Sequence, residues 1–408
     1  MFVTSVGVVA PHGNTPDEVF ERICAGESAV RLVADGTGRI GAPALIAPAD
    51  PREDEVIPRV KSRLMSRASR MAVVAAQRCF DAAGLEHGDE RVCRSGVYIG
   101  CGLGGSETLE DHYGRYFAEP PRRIRPATTP LIMASGPASH VSMHLGIRGP
   151  AVTYSIACVS SATAIGEAFR AIRDGYVDSV FAGGSEAQLN QGTVAAWNEL
   201  GVLASVHEDG AGASCRPFDA DRTGLVLGEG STVLLLESEE AALERGATLL
   251  GEIAGYGMTS DAHNLTEPTV RGQVGAMKAA LSDAGVSAHD VRYVNAHATG
   301  TLAGDRVEAE AIVESFGSAS QGLAVSSTKS MHGHLVGAAG ALEAFLTLRA
   351  VATGRVPPTA HIGVPEPECC LDYVAGVGRP VEGLEVGLSN SFAFGGSNAA
   401  LVLRASRR

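Results

Sequence analysis

The sequence predicts an α/β protein in which helices cover sheets, and three observations carry that reading. Strand-like and helix-like segments alternate along nearly the whole chain. Glycine supplies 50 of 408 residues, well above the usual ~7%, which calls for tight turns and close backbone approaches. Self-similarity with a period of about 20 to 50 residues is missing, so solenoids and propellers are disfavoured.

Taken in order, Val152 to Ala157 reads as a buried strand and Ser160 to Arg173 as a helix with a small-residue face. Ser179 to Phe181 begins a strand that ends at Gly183-Gly184, and Ser231 to Leu236 is strand-like again. Glu239 to Arg245 is a charged surface helix with Ser238 placed to cap it. Arg292 to Ala296 forms a strand, followed by a helix from Arg306 to about Ser315. Gly340 to Val351 is a helix of Ala, Leu and Phe, and Glu385 to Ser389 with Ala399 to Leu403 supply late strands. A larger echo joins these elements: Cys158 and His297 each sit where a strand ends. Two α/β halves meeting at a cleft bring such positions together, because ligands gather at strand C-termini. The divide falls near residue 250, giving halves 1–250 and 251–408.

Composition narrows the function. With 45% hydrophobic and 19% charged residues the chain is globular, not disordered. Lys plus Arg (33) against Asp plus Glu (46) leaves a net charge of -13, which argues against a general nucleic-acid binder. The opening MFVTSVGVVAPHG does not read as a secretory signal. The uncharged runs Pro126 to Ile147 and Gly149 to Gly166 are broken by Pro, Gly, Ser and His, so they read as protein core instead of membrane spans. Eight cysteines show no CxxC pair and no zinc-module spacing. The expectation is a cytoplasmic protein with reduced thiols, no metal and no membrane partner.

Four segments look chemical. In TYSIACVSSATAIGEA, a strand that stops at Ala157 puts Cys158 at a helix N-terminus, where amide N–H groups favour an anion and lower a thiol pKa; a small apolar core residue is the alternative. VNAHATGTLAGDRVEAEA sets His297 after a strand, followed by Thr299, Gly300 and Thr301, although a lone His there is often structural. VSSTKSMHGHLVGAAGALEAF carries Lys329, His332 and His334 in a loop before a small-residue helix. LSNSFAFGGSNAALVL places Asn390, Phe394 and Gly395-Gly396 between two strands, in a tight loop able to aim an amide N–H into a cleft.

In this order the four segments, with VTSVGVVAPHGN, GCGLGG and AGGSEA, resemble the elongating β-ketoacyl-acyl carrier protein synthases of the thiolase superfamily over essentially the whole chain. The resemblance implies a duplicated thiolase-like fold, five layers α-β-α-β-α with two mixed sheets. It makes Cys158 the acyl-accepting nucleophile and gives His297 and His334 the thioester carbonyl of the extender. Lys329 and Glu308 resemble a charged pair behind the histidines, and the amides of Cys158 and Phe394 form the oxyanion hole. Thr299 and Thr301 match hydroxyls that hold the pantetheine arm, Leu103 an acyl-pocket position, and Phe394 a gate. Two histidines separate this group from chain-initiating synthases, which use Cys, His and Asn. No cofactor is implied beyond phosphopantetheine on the acyl carrier protein. Val159, His332 and Ala393 depart from the family pattern, and they tilt the reading from fatty-acid elongation toward a specialised polyketide or polyene synthase.

Partner surfaces follow from charge. Arg59, Lys61, Arg63, Arg67 and Arg70 crowd together, and Arg115, Arg122, Arg123 and Arg125 form a second cluster. Such patches suit docking of an acidic carrier, with Arg63, Arg67, Arg122, Arg123 and Arg125 as the candidates; a solvated surface face is the alternative. The resemblance also implies a dimer through the uncharged stretches before the nucleophile, either of identical chains or with a paralogous ketosynthase-like subunit. A rival from another class is a non-catalytic chain-length subunit, which typically lacks the nucleophile. A thiolase acting on CoA thioesters is disfavoured by the HATGT and KSMHGH segments.

Overall fold

A computed structural model describes residues 1–33, 43–118, 120, 123–365 and 371–406. The first half contributes β1 (Phe2–Val9), β2 (Gly96–Gly100), β3 (Ala151–Tyr154), β4 (Ser179–Glu186) and β5 (Gly230–Glu237). The second contributes β6 (Gly251–Ser260), β7 (Val291–Asn295), β8 (Ala324–Ser326), β9 (Asp372–Tyr373), β10 (Val386–Phe392) and β11 (Ser397–Arg404). Spatial order in the first is β3-β2-β4-β5-β1, and in the second β9-β8-β7-β10-β11-β6. Both halves pair parallel as far as the third strand of the shared pattern (β3-β2-β4, β8-β7-β10) and antiparallel thereafter. The duplication expected from the sequence is therefore written in the hydrogen-bond ladder. The two mixed sheets join edge to edge through the pairs Phe2 with Glu252 and Val3 with Gly251.

Six helices complete the layers. α1 (Arg67–Ala82) and α2 (Gly136–Leu145) cover the outer face of the first sheet. α3 (Ser160–Arg173) and α6 (Ala339–Thr353) pack on each other between the sheets, and α4 (Val270–Ala284) with α5 (Leu302–Phe316) covers the second sheet. Small residues make the middle layer fit: a Cβ on Gly340 of α6 would come within 3.0 Å of the Ala162 backbone in α3, closer than packed atoms tolerate. The segment Val336–Thr353 is long and apolar enough to cross a membrane, yet 83% of it is buried inside the protein. Its apolarity belongs to this central layer.

Two local expectations change. The strand before the nucleophile stops at Tyr154, not Ala157, because Ala157 takes the left-handed region at φ 45 and opens a short 3-10 turn over Ala157–Val159 that leads into α3. The run Pro126 to Ile147 is only partly core. α2 buries Val141 and Leu145, while Met133 and Met143 remain 49% and 67% exposed.

Candidate active site

The chain segments that start α3 and α6 meet between the sheets, and that meeting point builds the site. The turn before α3 presents Cys158, and Ala157 before it pays about 1 kcal/mol or more for a positive φ that turns the thiol inward. The turn before α6 mirrors it: Val336 is at φ 46, and its N–H donates to His334 Nδ1 at 3.2 Å. An N–H can only donate, so Nδ1 is the acceptor and the ring proton of neutral His334 sits on Nε2. That nitrogen lies 3.1 Å from Cys158 Sγ.

His297, from the end of β7, completes the cluster. Its ring stands edge-on to His334 with centroids 5.3 Å apart. One donor atom from each of Cys158, His297 and His334 lies within 4.8 Å of the other two. Burial first, then the Lys329 charge, pushes both imidazoles well below the ordinary value of 6.5, so they are neutral donors near pH 7.

The sulfur corrects one expectation. Burial pushes the Cys158 thiol up to about 12, outweighing the Lys329 charge and the Phe394 N–H directed at it, both of which act downward. The resting group is a thiol, because loss of water costs the anion more than the turn and the nearby cation return.

Lys329 and Glu308 do not pair with each other. Lys329 Nζ is salt-bridged to Glu343 of α6, with both side chains fully buried. Glu308 of α5 accepts instead from the backbone N–H of His297 at 2.8 Å and of Ala298 at 2.6 Å, and from Asn390 Nδ2 at 3.0 Å. Burial pushes it up to about 7 despite those donors. Glu308 thus fixes the loop that carries His297, while Lys329 supplies the positive field behind both rings.

A cavity of about 170 Å³ opens over Cys158, His297 and His334. Thr299 and Thr301 line it, with their hydroxyls 3.2 Å apart. Asp305 holds that loop by accepting from the Thr299 and Gly300 N–H groups at 3.0 and 3.1 Å. Phe394 lines the cavity as well, and its ring stacks on Trp197 at 5.9 Å. Ala393, which departs from the family pattern, carries no left-handed strain, because the positive φ values of this loop fall on Gly395 and Gly396.

Leu103 does not line this cavity. It is 51% exposed, and its N–H is tied to Glu186 at 3.2 Å. Arg67 does not offer its charge to a docking partner, because its guanidinium is held by Glu229 at 2.8 Å and is nearly buried. Arg63, Arg123 and Arg125 are exposed, and Arg122 lies outside the described residues. Sequence reasoning passed over Glu343, Asp305 and Trp197. A lone carboxylate in the apolar helix AAGALEAFLTL was the available signal for Glu343, since a buried charge demands a partner.

Among the described residues, Cys158, His297 and His334 are the one cluster with the donor types of a metal site. They do not fit one. A metal-bound imidazole donates from its other nitrogen, whereas the other nitrogen of His334 accepts from Val336.

Comparison with known proteins agrees with this geometry. The family model described as beta-ketoacyl synthase, N-terminal domain, matches residues 1–242, and that for the C-terminal domain matches residues 250–363. Nodulation protein E of Rhizobium sp. (strain N33) is 40% identical over 98% of each chain. 3-Oxoacyl-[acyl-carrier-protein] synthase 2 of Synechocystis sp. is 37% identical over 98% of this chain and 97% of that one. The solved ishigamide ketosynthase/chain length factor superposes with a TM-score of 0.91 at 32% identity, covering 100% of this chain and 99% of its own. Fold and site together define an α/β enzyme of thiolase-like architecture with a Cys–His–His pocket. The chain belongs to the beta-ketoacyl synthase family, acyltransferases that form carbon–carbon bonds.

Proposed function

We propose that the chain is a β-ketoacyl-acyl carrier protein synthase working by decarboxylative Claisen condensation. The observation that carries this reading is the convergence of one sulfur and two neutral imidazoles within 4.8 Å at the base of a cavity. Cys158 Sγ bonds to the acyl carbon as the pantetheine C–S bond breaks, and the thiol proton leaves with the pantetheine sulfur. A malonyl thioester then places its carbonyl oxygen against His297 and His334. Loss of CO2 puts the electron pair on that oxygen as an enolate, and the enolate carbon attacks the acyl-Cys158 carbonyl. Expulsion of the Cys158 thiolate leaves a β-ketoacyl carrier, and covalent capture makes the order ping-pong.

His334 suits this role because its Nε2–H is fixed by the Val336 N–H on the other side of the ring. A donor aimed at an oxygen that becomes negative only in the transition state is worth roughly 3–4 kcal/mol. The Phe394 and Cys158 amides serve the tetrahedral oxyanion, Thr299 and Thr301 hold the pantetheine, and Phe394 gates the pocket. The scheme needs no cofactor beyond the carrier's phosphopantetheine.

The exposed Arg63, Arg123 and Arg125 suit an acidic acyl carrier protein. Edge strand β3 and the exposed Met133, Met143 and Leu103 suit a second ketosynthase-like subunit, identical or paralogous. Similarity to a ketosynthase/chain length factor pair and the departures at Val159, His332 and Ala393 favour specialised polyketide over fatty-acid synthesis, in the cytoplasm. The test is intact-mass analysis with an acyl-carrier thioester, followed by CO2 release from malonyl carrier. Acylation abolished by Cys158→Ala is expected; a protein that forms no adduct and releases no CO2 refutes the reading.

A further inference from the structure

His332 has no part in the reaction above, yet it occupies a fully buried position beside the catalytic machinery. An uncompensated imidazole there would cost the desolvation of two polar nitrogens. Both are paired. Nδ1 lies 2.7 Å from the Gly333 carbonyl oxygen, and Nε2 lies 2.9 Å from Thr328 Oγ1. A carbonyl only accepts, so the proton of the neutral ring sits on Nδ1, and Nε2 accepts from the Thr328 hydroxyl. Burial, the Lys329 charge and neighbouring His12 all disfavour the imidazolium.

The bonded carbonyl belongs to the peptide that leads into His334. Gly333 is at φ 67, ψ −170, a conformation essentially closed to other residues, and a Cβ there would lie 2.9 Å from the Val226 carbonyl oxygen. The other end of the same peptide plane, the His334 N–H, donates to Val226 O at 2.6 Å. Its carbonyl end has the His332 ring. With both ends held, the plane cannot rotate, and the direction in which His334 leaves the backbone is set.

We infer that His332 is a positioning residue: through the Gly333 carbonyl it locks the peptide that aims His334 Nε2 into the pocket. The inference rests on the proposed reaction. It singles out decarboxylation, where His334 must meet the enolate oxygen, over loading of Cys158. A displacement of about 1 Å at such a donor costs on the order of 100-fold.

The experiment measures the two half-reactions separately in His332→Leu and His332→Asn, beside the melting temperature. Loading is read by intact mass and decarboxylation by CO2 release from malonyl carrier. The Leu variant should load Cys158 near the wild-type rate and decarboxylate on the order of 100-fold more slowly. The Asn variant, whose amide N–H can donate to the same carbonyl, should recover most of that loss. Thr328→Val keeps the histidine and its Nδ1–H on the Gly333 carbonyl but removes the hydroxyl that steadies the ring at Nε2, and it should slow decarboxylation while sparing loading, which keeps the test open if the Leu variant does not fold. Equal losses in both half-reactions with no rescue by Asn, or decarboxylation unchanged in Thr328→Val, would overturn the inference. Wild-type protein that releases no CO2 would instead overturn the reaction reading itself, an outcome distinct from a defect confined to the variants.

Discussion

Replacing Lys329 by Met should separate two effects of one buried charge. Lys329 and Glu343 are both fully buried and bonded to each other, and Glu343 Oε2 has no hydrogen-bond partner among the described residues. Removing the ammonium strands the carboxylate, at a cost of about 3–5 kcal/mol, a large share of a total near 5–15 kcal/mol. Burial already raises the Glu343 pKa, so proton uptake by the stranded group relieves part of that loss. The double variant Lys329→Met/Glu343→Leu should recover most of the stability, because an apolar pair avoids the desolvation of both ions. The electrostatic effect should recover only in part. Against burial, Lys329 is the largest influence holding the Cys158 thiol down, so both variants raise it, the double variant by less because Glu343, a smaller influence that acts upward on the thiol, is removed as well. Each unit of rise means about tenfold less thiolate at a given pH, or ~1.4 kcal/mol. Urea denaturation reads the first effect, and the rate of Cys158 alkylation by iodoacetamide against pH, followed by intact mass, reads the second. A double variant alkylated at the wild-type rate at every pH would refute the claim that this charge reaches the sulfur.

Trp197→Ala should widen the cavity beside Phe394 and admit longer acyl groups to Cys158, read by competition between short and long acyl carriers; an unchanged preference would sink the role. Ala393→Gly should cost about 0.5–1 kcal/mol and loosen the Phe394 loop, seen as faster hydrogen exchange at residues 393–396. Burial holds the Cys79, Cys158 and Cys215 thiols at about 12, against 9.0 for the ordinary group. Between those values the unfolded chain has released protons that the folded one retains, so stability should fall as pH rises, by about 1.4 kcal/mol per pH unit per thiol. Cys79→Ala should make that slope shallower, and a urea midpoint equally steep in the variant would count against it. Reversing Arg123 and Arg125 to Glu should raise KM for carrier-bound substrates while sparing pantetheine-thioester mimics, and equal losses for both would remove that face as the docking site.

Local pattern was enough for what depends on neighbours in the chain. The helix expected over Ser160 to Arg173 is present with those bounds, and the Ser238 cap forms to Ala241 N–H as its spacing predicted. The motifs also named Cys158, His297 and His334, which the fold brings from turns 139 and 37 residues apart into one cluster. Tertiary structure decided the rest. Lys329 chose Glu343 over Glu308 because α6, not α5, presents its carboxylate to the buried ammonium. Cys158 is a thiol because the layers on either side exclude water, a cost no segment read alone can register. Arg67 is bound to Glu229, and Leu103 does not line the cavity, because both outcomes depend on residues far off in sequence, Glu229 for the first and Glu186 for the second. Periodicity and turn chemistry are properties of a few adjacent residues, whereas ion pairing and desolvation are set by whichever distant groups the packed chain places within a few ångströms.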